Sequence, residues 1–367
     1  MPTTNVKTIG GTTPDYATIA LWEAAIPANL ITTDEIWRGE CRDVTFSEAD
    51  VALGSGVTTD ATRYPILTRE AGSNWDGTIA NGPVVDEATG TATTNGYGLL
   101  IDCDFFRVVG IRVSNSQTKN TGNSSMWACI ATSAGPGADS TIAQCICHDA
   151  NPTDYRTYAL HHVSEPTSAD TYNWLNNQAI NLGASGDRAR AIAPAWWMTG
   201  ITMNMIGNVV FNSDWASGFG MYVGDDGGSA CTANVYNNVM FSNGGGVGYV
   251  TAGFGSSTLN ATNNGSSDTT TPGTSTFNSL TQATELVSVT GGSEDLHLDS
   301  GSTILGDGSD RGTTPTLVEI DIDGYDRDAG GDTWDIGSDQ FGKPAAAVAF
   351  WVNRRTHKNP LFTLLRR

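Results

Sequence analysis

The feature that most constrains this chain is a recurring short apolar stretch with a central Asn, Gln or Gly. Five such stretches can be aligned at intervals of 34, 33, 31 and 30 residues, on Gly110, Gln144, Asn177, Asn208 and Asn238. A weaker sixth member follows at 259–263. A period in this range is typical of solenoids, whose units stack on their neighbours and so bury a continuous core.

The stretches have the composition of strands, because β-branched and aromatic residues flank a turn-forming Asn or Gly. The amphipathic helices of ankyrin and tetratricopeptide repeats are missing from this part of the sequence. A charged fraction of only 16% and 43 Gly also disfavour a helical protein. The sequence therefore predicts an all-β fold, a single-stranded parallel β-helix, in which the repeated Asn satisfies backbone groups at the bends.

One short helix is predicted near the N-terminus. Thr13 is placed to be its N-cap and Pro14 its first residue. Ile19 and Trp22 then fall on one apolar side, and Pro27 ends the pattern.

Two segments near the C-terminus, LHLDSGSTILGDGSDRG and EIDIDGYDRDAGGDTWDIGSDQF, carry a family resemblance. They resemble the closing segment of many right-handed parallel β-helix proteins of the pectate-lyase-like superfamily, including phage virion proteins. The matching residues are Leu298, Ser302, Ile304, Gly306, Asp321, Asp323, Gly324, Arg327, Asp335, Ile336, Gly337 and Phe341. The early helix is similar to the one that covers the first coil in that family. The resemblance implies the fold but not the activity, because this fold hosts lyases, hydrolases, viral spikes and inert structural proteins.

Four regions are expected along the chain: a cap with the helix at 1–45, β-helix coils at 46–290, the closing segment at 291–342, and an arm at 343–367. The arm has six basic residues and no acid, so residues 1–342 carry 13 basic against 39 acidic groups. Its apolar residues predict docking to an end of the β-helix, to a sister subunit or to another protein. The residues expected to dock are Phe350, Trp351, Arg354, Arg355, Leu361, Phe362, Arg366 and Arg367.

The resemblance also implies what catalysis would need, namely a Lys or Arg base and often calcium held by carboxylates. The candidate bases are Arg112, Lys119, Arg156 and Arg188, and of these only Arg112 lies in an aligned stretch. His161 and His162 are adjacent, so a strand would point them to opposite faces. We expect both of them in a loop or on the surface.

No cofactor is expected by default, with calcium as the alternative. The candidate ligands are Asp321, Asp323, Asp326 and Asp328. Their string resembles a calcium loop but lacks the bidentate Glu that ends one. The competing interpretation is that Asp323 and Arg327 pair with each other or cap turns.

Four tryptophans lie in or beside the coils: Trp174, Trp196, Trp197 and Trp215. An exposed Trp would stack on a glycan or contact a subunit. The alternative is that these rings pack on the side of the β-helix.

The six cysteines are expected to be free and buried. The opening residues show no secretory signal, and no segment is long enough to span a membrane. The acidic balance disfavours a nucleic-acid partner.

We predict a virion structural protein, namely a capsid decoration or fibre component of a tailed phage. It would be made in the host cytoplasm and displayed on the virion surface, either as a homo-oligomer or attached to other virion proteins. The alternative is a polysaccharide lyase or glycoside hydrolase acting on an acidic or cell-surface glycan.

Overall fold

The computed structural model describes the residues outside the interruptions at 49, 87–95, 115–125, 134–138, 150–155, 164–169, 183–189, 194–199, 214–218, 225–230, 243–246, 253–256, 329–332 and 343–367. The described chain is a single-stranded parallel β-helix with three faces. Each complete coil contributes one strand to the first face, then one to the second and one to the third, whereas the first described coil has only a first-face strand and the last lacks a third-face strand. The predicted all-β solenoid is therefore confirmed.

The first face contains nine described strands, all parallel to their neighbours. Their bounds are Thr3–Ile9, Glu35–Cys41, Pro65–Arg69, Arg107–Val109, Asp139–Ala143, Thr171–Leu175, Thr202–Ile206, Thr232–Tyr236 and Thr258–Thr262. The last of them contains the weak sixth repeat of the sequence. Successive strands pair without a break in register from Asp139 onward.

The second face contains eight described strands and the third face seven. The second is built from Thr45–Phe46, Val84–Asp86, Arg112–Ser114, Ile146–His148, Gln178–Ile180, Val209–Ser213, Val239–Ser242 and Gly265–Ser266. The third is built from Val51–Leu53, Gly96–Ile101, Met126–Thr132, Arg156–His162, Arg190–Ala193, Phe219–Gly224 and Val247–Ala252. Apolar side chains from all three faces fill the interior.

A tight two-residue corner joins the first face to the second in each repeat. Its first residue takes a left-handed conformation, with φ between 53° and 69°, which explains the recurrence of Gly and Asn. These residues are Gly110, Gln144, Asn176, Gly207, Asn237 and Asn263. Because Ala143 pairs with Leu175, Gln144 lies opposite Asn176. The alignment of Gln144 with Asn177 is therefore wrong by one residue.

The second corner residue forms an asparagine ladder inside the β-helix. We call Asn177, Asn208, Asn238 and Asn264 the inner ladder. The side chain of Asn208 shows its pattern: its Oδ1 accepts from the backbone N–H of Asn177 at 3.1 Å, and its Nδ2 donates to the Trp174 carbonyl at 2.9 Å. All four residues are at most 2% exposed. The structural interpretation of the repeated Asn is thus confirmed.

The early helix is shorter than predicted and begins later. It spans Ile19–Glu23, with Thr18 as its N-cap. Thr13 instead has a positive φ, and the Asp15 carboxylate bonds to Thr8, so the predicted first turn is held in another conformation. Ile19 and Trp22 are fully buried, and the Trp22 ring packs edge-on against Phe106 in the core. A second helix spans Leu30–Thr33.

The end of the described chain turns back along the outside of the coils. We call residues 282–328 and 333–342 the strap. It begins with the helix Gln282–Glu285, which is followed by an antiparallel hairpin of the strands Leu286–Ser288 and Asp295–Leu298. The described residues of the strap after this hairpin form no further strand. Apolar strap residues cover the exterior of the second face, on side chains such as Phe211 and Phe241.

Between Asp307 and Ile322 the strap runs antiparallel to the direction in which the coils stack, and its end returns to the middle and later coils, where the Gly337 N–H donates to the Asn237 carbonyl. Three strap carbonyls accept hydrogen bonds from side chains of the coils. The Ser309 carbonyl accepts from Asn237, the Ile320 carbonyl from Asn176, and the Ile322 carbonyl from Trp75. Over this part of the strap, later residues therefore reach earlier coils. The Asn176 Nδ2 donates to the carbonyls of Val318 and Ile320 at 3.1 and 2.5 Å. The side chains of the first corner position therefore hold the strap in place.

Candidate functional site

A repeated Thr-x-Asn pattern covers the exterior of the first face. Pairing of the strands aligns the four threonines with one another and the four asparagines with one another. The threonines are Thr171, Thr202, Thr232 and Thr258, and the asparagines are Asn173, Asn204, Asn234 and Asn260. We call these asparagines the outer row. Residues two apart in a strand share a face, and neighbouring strands lie roughly 4.8 Å apart. The face thus presents a regular array of hydroxyl and amide groups.

Hydrogen bonds run along the outer row and fix its amides. The Nδ2 of Asn204 donates to Asn173 Oδ1, and the Nδ2 of Asn234 donates to Asn204 Oδ1, each at 2.7 Å. Asn173 in turn donates to Asp139 Oδ1 at 2.8 Å. The Asn173 Nδ2 also donates to the Thr141 hydroxyl at 3.3 Å, whereas Asn204 and Asn234 each donate one of their two N–H groups to the row and keep the other for a ligand. The row is therefore ordered in advance of binding.

The strap forms a wall beside this array and makes it a groove of about 400 Å³. Its lining residues are Arg107, Asp139, Thr141, Thr171, Asn173, Asn204, Ile206, Asn234, Tyr236, Arg311, Thr314, Pro315 and Thr316. The Arg311 guanidinium lies 3.8 Å from the centre of the Tyr236 ring. This contact joins the wall to the array.

The charges of the groove differ from those of the whole chain. The chain has a formal net charge of −20, but the groove is lined by two arginines, Arg107 and Arg311, and one carboxylate, Asp139. The Arg107 guanidinium lies over the Tyr64 ring, 4.5 Å from its centre. A groove with a net positive lining attracts anionic ligands, even in a protein whose net charge is negative.

Of the four basic residues proposed from the sequence, Arg112 is the one whose side chain lies among the described residues, and it does not line this groove. Arg112 is 8% exposed and donates to the carbonyls of Ile79 and Gly82, so it fastens a surface loop. Arg156 lies at the start of a third-face strand, but its side chain is outside the described residues. Lys119 and Arg188 also lie outside them.

The expectation that His161 and His162 are surface residues is wrong, although they do point to opposite sides. His161 is 3% exposed and stacks on Tyr158, with the ring centres 4.0 Å apart. His162 is fully buried, and its Nδ1 lies 2.8 Å from the Thr132 hydroxyl. Its ring also contacts the Tyr172 ring in the core. A strand that is buried on both sides explains why both imidazoles are inaccessible.

The tryptophan Trp174 has no access to a glycan, because its ring is fully buried inside the coils. Trp196, Trp197 and Trp215 lie outside the described residues, as does the arm at 343–367. The last described residues lie on the flank of the middle coils, where the Gln178 amide donates to the Ser338 hydroxyl at 3.1 Å.

The four aspartates proposed as calcium ligands separate into two groups. Asp326 accepts from the backbone of Asp328, and Asp328 accepts from the Trp334 indole at 2.8 Å. Asp321 and Asp323, which are also strap residues, are instead buried. Asp323 contacts a residue that the sequence prediction did not include, because its Oδ1 lies 3.0 Å from His297 Nε2.

The predicted partnership of Asp323 with Arg327 takes another form. Arg327 is fully buried and donates to the carbonyls of Asp335 and Gly337 and to Asn176 Oδ1. Burial lowers the pKa of Arg327, and the charge of Asp321 opposes this shift. The arginine of the closing motif therefore fixes the fold of the strap against the corner of the coils.

The six cysteines are buried and free, as predicted. Burial raises the pKa of the Cys145 thiol to about 12. Such a thiol is a poor nucleophile at neutral pH.

The groove was missed in the sequence analysis, although the sequence carries its signal. The Thr-x-Asn repeat precedes the corner that was used for alignment, and a period of two within a strand places both polar residues outside. The strap residues that form the wall carry no local signal, because their position depends on contacts distant in sequence.

Among the described residues, no helix has the length and apolar character that crossing a membrane requires. Comparisons of this chain with protein-family models, with curated proteins and with solved structures each find no match.

Proposed function

We propose that this protein is a non-catalytic structural β-helix that binds an anionic glycan in the groove of the first face. The observation that carries the proposal is the groove itself, where a preordered row of amides meets two arginines. Oligosaccharides are bound by such planar arrays of amides and hydroxyls, and an arginine adds a charge-assisted bond to a sugar carboxylate. The Tyr236 ring is 9% exposed and carries the Arg311 guanidinium, so it positions this charge in the groove.

The setting we propose is a virus particle, with the chain as a capsid decoration or fibre component. The support is the charge asymmetry of the sequence, an acidic body followed by a basic, apolar arm at 343–367. Such an arm suits attachment to sister subunits or to another virion protein. The stacked coils would present the groove on a rigid support.

Binding is tested by calorimetry with an oligouronate and with an uncharged oligosaccharide of the same length. We expect saturable binding of the oligouronate, weaker by about tenfold in Arg311→Gln because one charge-assisted bond is lost. The matched control is Arg63→Gln, which removes an arginine paired with Asp34 and Asp60 away from the groove. Absence of binding, or equal binding by Arg311→Gln, would overturn the glycan proposal.

Attachment is tested separately with a chain that lacks residues 343–367. We expect a smaller species in sedimentation and loss of binding to particles, with unchanged affinity for the oligouronate. Normal assembly without the arm would refute its docking role and leave the groove untouched.

A second candidate is a polysaccharide lyase or hydrolase, because a basic group and a carboxylate, Arg107 and Asp139, line the same groove. Incubation with a uronate polysaccharide distinguishes it from the first. Formation of unsaturated product that is lost in Arg107→Gln would establish the enzyme, whereas binding without turnover supports the structural protein.

A further inference from the structure

Three side chains from separate segments converge where the strap meets the early coils. His297 comes from the hairpin strand Asp295–Leu298, Asp323 from the middle of the strap and Asp339 from near its end. One ligand atom of each lies within 4.8 Å of the others. Asp323 and Asp339 are 7% and 4% exposed, and His297 is half-buried, so one side of the cluster stays accessible.

A carboxylate on the other side of the ring orients the imidazole. The Nδ1 of His297 bonds to Asp295 Oδ1, and its Nε2 faces Asp323 Oδ1 at 3.0 Å. In metal sites a histidine commonly donates its other ring N–H to a carboxylate, which fixes the tautomer and strengthens the ligand. Asp295 is placed for that role, and Nε2 is then the ligand atom.

Asp321, two residues before Asp323, has a buried carboxylate oxygen that is left without a partner in the described part of the chain. It is fully buried, its Oδ1 accepts from the Tyr325 N–H, and its Oδ2 has no hydrogen-bond partner among the described residues. The buried carboxylates Asp321, Asp323 and Asp339 outnumber the two buried arginines beside them, Arg69 and Arg327. A buried excess of negative charge needs a proton or a cation.

The backbone leaves room for only a small ligand. A Cβ on Gly77, whose φ is +71°, would come within 2.7 Å of Asp323 Oδ1 and 2.9 Å of His297 Nε2. The Gly77 backbone therefore lies directly against the cluster on this side. The space that remains suits a single ion and excludes an organic molecule.

We propose that His297, Asp323 and Asp339 bind one divalent transition-metal ion of the zinc type, with Asp321 completing the charge balance. Binding displaces the proton between His297 Nε2 and Asp323, and that proton passes to solvent. An imidazole with carboxylates suits Zn²⁺ better than Ca²⁺, which prefers oxygen ligands alone. The ion would join the hairpin, the middle and the end of the strap at one point.

The test is calorimetric titration of the chelator-treated full chain with Zn²⁺ and, in parallel, with Ca²⁺. We expect one Zn²⁺ per chain, a raised Tm, and much weaker binding of Ca²⁺. Affinity for Zn²⁺ should fall at least about tenfold in Asp323→Asn and in His297→Gln. The matched control is Asp307→Asn, an exposed strap residue whose change removes the same charge outside the cluster.

Titration of the unmodified chain with Co²⁺ keeps the proposal falsifiable if either variant fails to fold. A stoichiometric ligand-field absorption that Zn²⁺ abolishes would support a site with a nitrogen ligand. Absence of saturable binding by the unmodified chain, or equal affinity in folded variants of His297 and Asp323, would overturn the proposal.

Discussion

Two rows of asparagine run along the same coils at the same spacing, and they have different tasks. The inner ladder is buried, and its amides bond to backbone groups of neighbouring coils. The outer row bonds mainly to itself and becomes more exposed toward the later coils, from 3% at Asn173 to an exposed Asn260. Residue type and period are therefore not sufficient to assign a role, because the burial of the partner groups decides it.

The largest expected effect comes from Asn208→Ala in the inner ladder. The change leaves the buried N–H of Asn177 and the carbonyl of Trp174 without partners, so we expect a loss of about 3 kcal/mol in the free energy of unfolding. Urea denaturation measures it. Asn208→Asp is the informative second variant, because it keeps the Oδ1 acceptor and removes the Nδ2 donor. We expect it to lower the free energy of unfolding substantially as well, because it buries a carboxylate.

The corner asparagines that hold the strap should show a smaller and more local effect. Asn176→Gly keeps the left-handed backbone and removes the bonds to Val318, Ile320 and Arg327. We expect a cost of about 1 to 2 kcal/mol, seen first as faster hydrogen exchange in the strap. Uniformly faster exchange throughout the coils would contradict this assignment.

The inner ladder can be extended by one step with Cys145→Asn. Cys145 is opposite Asn177 in the preceding coil, and its Sγ lies 3.7 Å from the Val108 carbonyl. In the ladder, that carbonyl position receives the asparagine Nδ2, as Ile142 does from Asn177. We expect a gain of about 1 kcal/mol in the free energy of unfolding, measured by urea denaturation against Cys145→Ala. If Cys145→Asn is instead less stable than Cys145→Ala, the coil has no room at this position for the larger side chain, and the prediction is wrong.

The smallest effect on stability is expected for Asn204→Ala in the outer row. Its amide is partly exposed, so water replaces the lost bonds and the cost should stay below about 0.5 kcal/mol. Its affinity for an oligouronate should nonetheless fall, which calorimetry measures. A stability loss equal to that of Asn208→Ala would remove the distinction between the two rows.

Much of the architecture could be predicted from the sequence, because repetition is itself a local signal. The period at Asn177, Asn208 and Asn238 indicated stacked coils, and alternation within a strand determines which residues point outward. The one-residue error at Gln144 arose because both corner positions accept Asn. The placement of the strap, and hence of Arg311 and His297, could not be predicted. It depends on contacts such as that between Trp75 and Ile322, which are 247 residues apart.

The antiparallel course of the strap changes how the solenoid should assemble and come apart. Repeat proteins gain stability mainly from nearest neighbours, so their ends unravel independently. Here the strap binds both early and late coils, and removing it would leave them linked only through the strand pairing of neighbouring coils. During synthesis the coils are made before the strap, so the apolar second face stays uncovered until the last quarter of the chain emerges. The order of translation thus makes the docking of the strap a late step of folding. Docking then converts an open stack of coils into one cooperative unit.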